Sequence, residues 1–355
     1  MRFSILVFWL SFAFLTSVLS ACSNAPIIEN KPFYWPPAPD LPRLKLEARL
    51  RSGEDLVRDS TLQRFQRFAT GELESAPGMN KPYDIAARHG LVAITDSRDA
   101  VAYMFDLQRR RFFAFGWRRE GKLEKPAGIA IDNNKQVYIA DSARGKIIVY
   151  DAYGLYLREI GTPDLFDRLS DVAVSSLNND VFALDRGGVD STRHRVTQFD
   201  SEGKFKRFIG ERGHGEGQFN HPNQVTVSLQ GDLVVLDAGN FRVQVFDSEG
   251  KYKSSWAGLG RGLGQLARPR GLALTHNGLF VISDTAFQNV QFFNSDGQLL
   301  LVLGNQEPPG EPGRYLLPSG VASDEKGFIY IVDQALRSID VWRLLDEDSA
   351  KSVIR

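Results

Sequence analysis

Six short apolar runs, each ending in Asp, recur along this chain at intervals of 44 to 52 residues: VAITD ending at Asp96, VYIAD at Asp141, VFALD at Asp185, LVVLD at Asp237, FVISD at Asp284 and IYIVD at Asp333. A second apolar run follows each one (VAYMFD, KIIVYD, RVTQFD, VQVFD, VQFFN, IDVWR). A turn comes next, as in DAYG at 151–154 and DSEG at 200–203 and 247–250, and then a run that usually ends in Gly. Pro or a turn residue opens the next unit, as in PAGIAID at 126–132 and PRGLALT at 269–275. The runs are short, rich in Val, Ile, Phe and Tyr, and bounded by Gly, Asp, Asn or Pro, which is strand chemistry. Four such strands make one antiparallel sheet with two bare faces and two raw edges. Radial repetition covers the faces and closes the edges, and a period of this length is that of a propeller. The expected fold is all-β, a six-bladed β-propeller over residues 43–345.

Closure tests that expectation. The sixth unit supplies strands near 320–324, 328–333 and 338–343, so its fourth must come from elsewhere. Residues 43–51, RLKLEARLR, place Leu44, Leu46, Ala48 and Leu50 on one side of a strand and Lys45, Glu47, Arg49 and Arg51 on the other. That is the period of a half-buried strand, and it predicts a ring closed by an N-terminal strand. Residues 61–72 space Leu62, Phe65 and Phe68 for one face of a short helix. Residues 346–355 form a C-terminal tail.

The run DAGNFRVQVFDSEGK at 237–251, preceded by FIGERGHGEGQFNHP at 208–222, resembles NHL repeats. The resemblance spans residues 82–343 and is strongest in the third and fourth units. It implies a six-bladed propeller whose central channel can serve as a site; some propellers of this type bind RNA, and one holds a metal with channel histidines. The third unit departs from the pattern by opening with LSDVAV, without Pro.

The N-terminus carries an address. A short basic start, MRF, precedes a mostly apolar stretch and then Leu19-Ser20-Ala21-Cys22, the layout of a secretion signal. The last four residues resemble a bacterial lipobox. Residues 1–21 are therefore expected to be a lipoprotein signal peptide, with Cys22, the only cysteine, as the lipidated first residue of the mature chain. Ser23 in place of Asp favours the outer membrane over the inner by the same resemblance, which places the chain in the bacterial envelope facing the periplasm. Residues 22–42 carry six prolines and read as a lipidated, Pro-rich tether reaching about 60 Å. Its aromatic trio Phe33-Tyr34-Trp35 either docks a partner or packs on the ring. No second apolar run is long enough to span a membrane.

Lys plus Arg and Asp plus Glu number 43 each. A chain with no basic stripe is a poor nucleic-acid ligand. No nucleophile elbow, phosphate loop or dinucleotide fingerprint is present. The six strand-end Asp residues could ring a metal, but such an Asp usually accepts hydrogen bonds from the following turn, and a role repeated in every blade fits a structural part better. His194, His214 and His221 fall on one face and form a weak zinc candidate; no cofactor is otherwise implied. Departures from the repeat mark function, because binding residues concentrate in loops on a rigid scaffold. The insertion after Asp185 gives a charged lip of Arg186, Asp190, Arg193, His194 and Arg195, continued by Arg144, Asn240, Arg242, Phe287 and Arg337. The expected function is a monomeric, membrane-anchored binding scaffold for a protein or polymer partner. The alternative from another class is a metal-dependent lyase or hydrolase at the channel mouth.

Overall fold

The computed structural model describes residues 32–56, 78–304 and 311–354. Five blades have four consecutive strands in simple antiparallel order. Their innermost strands, Pro82–Arg88, Pro126–Ile131, Leu169–Val174, Gln224–Val227 and Pro269–Leu274, stand around a central channel with Pro318–Ser323 of the sixth blade. Second strands are buried at every residue in five blades, for example Val137–Asp141 and Phe280–Asp284, and at all but Phe328 in the sixth. Outer strands such as Tyr156–Ile160 are mostly exposed. Six apolar clusters fill the six gaps between neighbouring blades, so the core is a ring of wedges rather than one centre.

Leu44–Leu50 is the outer strand of the sixth blade and pairs antiparallel with Ser338–Leu344. The single apolar face expected of it does not form. A bulge between Leu46 and Ala48 admits one extra residue, Glu47, and reverses which way the following side chains point. Leu44 and Leu46 enter the wedge between blades five and six, while Ala48 and Leu50 enter the wedge between blades six and one. Arg49, expected on the wet face, instead bonds Asp340 through Nε and an Nη at 2.6 and 3.0 Å.

Tyr34–Trp35 adds a short fifth strand beyond Leu44–Leu50. Trp35 Nε1 donates to the Val302 carbonyl of blade five at 2.7 Å, and Phe33 meets Trp342 edge to face. The aromatic trio thus packs on the ring. The C-terminal residues form a helix, Glu347–Ile354, whose Ser349 N–H is taken by Asp346. Cys22, the signal and the helix expected at 61–72 lie outside the described residues. Among the described residues no helix is long and apolar enough to cross a membrane.

Candidate functional site

Each strand-end Asp is buried and bridges two chain segments. Asp96 takes the N–H groups of Asn80 and Lys81 from the preceding inter-blade link and those of Arg98 and Asp99 from the following turn. Asp141, Asp284 and Asp333 repeat the pattern. The capping expected of the following turn is therefore half of the role. The other half fixes one register of the link, the residue just before the inner strand in five units and three residues before it in the fourth.

That residue is Lys81, Lys125, Arg168, His221, Arg268 and Leu317 in turn. Its N–H donates to the local Asp in every unit but the fourth, where His221 N–H donates to His194 Nδ1 at 3.2 Å. Five of six blades therefore place a basic or imidazole side chain at one register of one channel mouth. Arg186, next after Asp185, and Arg270, in the fifth inner strand, join them. Two adjoining cavities of about 460 and 230 Å³ occupy this mouth, and Arg168, Arg186 and Arg270 line both. No carboxylate lines either cavity.

The charge at the mouth is uncompensated. Among the described residues Lys81, Lys125, Arg168, Arg186, Arg268 and Arg270 form no ion pair, whereas Arg144, Lys206 and Arg242 do. Arg186 Nε is buried without a hydrogen-bond partner. Burial pushes the Arg186 guanidinium below its usual range, and Arg168 and Arg270 push it the same way. Burial also lowers His221, with His194 and Arg186 adding to the effect. Arg270 lies over the Tyr83 ring at 5.5 Å.

Beneath the mouth two carboxyls meet on the channel axis. Asp84 from blade one and Asp171 from blade three are 2% and 1% exposed and close enough for each to bear on the other's protonation, and Asp171 Oδ1 is buried without a hydrogen-bond partner. Asp84 also accepts from Gln224 Nε2 at 3.0 Å and Ile129 N–H at 3.1 Å, and Asp171 accepts from Val225 N–H at 2.7 Å. Burial pushes Asp84 up to about 6. Burial, then the Asp84 charge, pushes Asp171 well above the usual carboxylate range. A close carboxyl pair out of water cannot lose both protons near neutrality, so this one keeps one. Asp84, Gly128, Asp171, Gln224, Gly271 and Gly320 share one register of the repeat, the third residue of the inner strand in five blades and the first in blade four. The glycines make the room: a Cβ at Gly128 would overlap Asp171 Oδ1, and one at Gly320 would sit 2.7 Å from Asp84 Oδ1. The pair divides the channel. On its far side lies an aliphatic chamber of about 300 Å³ whose rim carries Arg88, His276 and Glu325.

The residues singled out from sequence separate in space. Arg186 reaches the mouth. Arg193 and Arg195 fix the inserted loop through the carbonyls of Asp164 and Leu165, and Arg195 stacks on Phe208. His194 is not on the lip: it is fully buried, with Nε2 facing the Gly188 carbonyl. Asn240 and Arg242 hold Asp237 and the carbonyls of Gly213, Gly215 and Gln218. Arg337 is exposed on the rim. His194 and His221 stack at 4.7 Å, but His214 bonds Asn240 instead of joining them. Among the described residues no three His, Cys, Asp or Glu side chains converge as a metal-ligand set. Sequence reading named Arg186 but missed Arg168, Arg270 and the carboxyl pair. Aligning KPYD, KPAG, RLSD, HPNQ, RPRG and LPSG exposes both, since the first column is mostly basic and the fourth holds Asp twice among Gly and Gln.

Residues 219–246 match the family model of the NHL repeat. No curated protein matches the chain. Among solved structures it is similar to virginiamycin B lyase from Staphylococcus aureus, with 12% identity and a TM-score of 0.55 over 85% of this chain and 100% of that one. It is also similar to a gluconolactonase from Xanthomonas campestris (17%, 0.55, over 75% and 87%). A third is a protein of unknown function from Bacteroides thetaiotaomicron (16%, 0.57, over 77% and 71%). Likeness at these identities shows the fold. With its blades, its register and this match together, the chain is a six-bladed β-propeller carrying an NHL repeat.

Proposed function

We propose that this propeller is a lipid-anchored recognition scaffold of the bacterial envelope, bound through Cys22 to the outer membrane on its periplasmic side, which docks an acidic protein or polymer over its basic channel mouth. The observation that carries the reading is the unpaired cationic mouth in a chain whose formal charge is zero. Stranded like charges raise the free energy of the unliganded face, and an anion relieves it. The secretion signal argues for an acidic envelope partner rather than nucleic acid.

The test is retention of the full mature chain, in detergent, on immobilised polyglutamate at low salt. The parent is expected to bind and to elute with salt. Arg168→Gln/Arg186→Gln/Arg270→Gln should run through, while Arg193→Gln/Arg195→Gln on the rim should bind like the parent. Equal retention of the triple variant, or preferred capture by single-stranded RNA, overturns the reading. Mass spectrometry of the N-terminal peptide checks the anchor, and an unmodified Cys22 removes it.

A further inference from the structure

The carboxyl pair ties blades together, Asp84 taking the Ile129 N–H of blade two and Gln224 Nε2 of blade four and Asp171 taking the Val225 N–H of blade four, but closing a blade does not require an acid at this register. At the third inner-strand position, blades two, five and six use Gly, and their sheets close as well as those of blades one and three. Two carboxyls that cost desolvation have been placed at a register that is otherwise Gly or Gln. Between them and the mouth is a gap of about 10 Å³, on the order of one water, lined by Tyr83, Asp84, Asp171, Asn223, Gln224 and Arg270. Arg270 therefore faces both the gap above the pair and the anion-poor mouth. Charge on the pair and charge on a ligand at the arginines share this one residue.

Three guanidiniums, those of Arg168, Arg186 and Arg270, line both cavities of the mouth, and no ammonium group does. Guanidinium is planar and presents parallel N–H donors that match the oxygens of a carboxylate, sulfate or phosphate. We propose that the mouth and the pair form one proton-linked oxyanion site: Arg168, Arg186 and Arg270 take a carboxylate, sulfate or phosphate group, and the pair beneath weakens that grip when it gives up a proton. This rests on the reading of the mouth as an anion-docking face and adds a ligand class and a control to it.

The groups that bear on the pair can be named from every side. Gln224, the Ile129 and Val225 N–H groups and Thr95, which takes the Asp84 N–H, are uncharged partners from the neighbouring strands. Arg270 and Tyr83 face it from above, with Arg168, Arg186 and His221 beyond them. Losing a proton takes the pair from neutral to one negative charge and sets a repulsion against any anion above it. Linkage requires the converse, so that anion binding draws a proton onto the pair. His221 titrates in the same sense and is the competing source of any pH dependence.

Sulfate is the probe, because it is a dianion throughout the range used. Calorimetric titration of the full mature chain is expected to give a dissociation constant about tenfold weaker at pH 8 than at pH 5, the effect of about one pKa unit of coupling. Asp171→Asn keeps the geometry, since its amide matches the carboxyl in shape and can donate to Asp84, and should retain the pH dependence. His221→Gln should retain it too. Asp84→Asn/Asp171→Asn should bind sulfate equally at both pH values. If that variant does not fold, proton uptake on sulfate binding near pH 6, measured in His221→Gln with two buffers of different ionisation heat, replaces it. Absence of uptake, or pH dependence lost in His221→Gln but kept in the double Asn variant, overturns the proposal. Failure to bind sulfate while polyglutamate retention persists sinks the small-oxyanion site and leaves the docking face standing. Failure of both sinks both. Competition by malonate against polyglutamate separates a free anion from the terminal group of a larger partner.

Discussion

Glycine at the third position of three inner strands is needed for space, not for backbone freedom, because none of the three adopts a left-handed conformation. Gly128→Ala is expected to cost about 1–3 kcal/mol of overpacking, since Asp171 must give way. Urea denaturation checks this, and an unchanged midpoint contradicts it. The pair also sets a pH trend. Both carboxyls hold protons more tightly in the folded chain than their ordinary value of 3.8 allows in the unfolded one. Their contribution is therefore complete below about pH 4 and is lost as pH rises through the folded value of about 6 for Asp84. The loss from Asp84 is on the order of 3 kcal/mol, at about 1.4 kcal/mol per unit. Unfolding free energies at pH 4.5, 6 and 7.5 should fall more steeply in the parent than in Asp84→Asn/Asp171→Asn. Nothing in the local sequence announces this pair: Asp84 and Asp171 lie 87 positions apart in a chain with 43 acidic residues, and each looks like a surface carboxyl until the ring brings them together.

At the level of single elements, the latch strand shows what periodicity can and cannot deliver. Alternation across residues 43–51 located the strand and its partner, because four apolar side chains at period two demand a sheet to cover them. It could not foresee the bulge, which depends on the twist of the sheet being joined. The bulge puts Arg49 beside Asp340, whose carboxyl burial holds above its usual range despite the guanidinium. Arg49→Ala leaves that carboxyl buried without its partner and should cost about 3–5 kcal/mol. Asp340→Asn in the same background should restore part of the loss; no recovery in the double variant would mean that Arg49 acts through packing alone. Trp35→Ala should lower the urea midpoint as well, by cutting the 2.7 Å bond that ties the N-terminal segment to blade five.

For the molecule as a whole, closure and charge are the two properties a linear reading treats differently. Closure was legible, because six copies of one pattern and one missing strand leave few other solutions. Charge was not. A balance of 43 against 43 hides a mouth where Lys81, Lys125, Arg168, Arg186, Arg268 and Arg270 gather while most carboxylates face elsewhere. The loop insertion at 186–195 drew the eye because it broke the repeat, yet of its residues named from sequence it gives the mouth only Arg186; Lys81, Lys125, Arg168, Arg268 and Arg270 come from positions that kept it. Leu44→Asp/Leu50→Asp, which spoils both wedges served by the latch, should weaken amide protection first in blades five, six and one and leave blades two to four nearly unchanged. Uniform loss around the ring would show that the blades act as one cooperative unit.

The two residues of the latch ion pair are separated by 291 positions. The strand synthesised earliest in the ring therefore has no partner until the third strand of the last blade has been made. A nascent or translocating chain can assemble its middle blades one by one, yet its ends stay open and its first outer strand stays idle until delivery is finished. The topology works as a timer, with the finished wheel appearing only after the third strand of the last blade has been delivered.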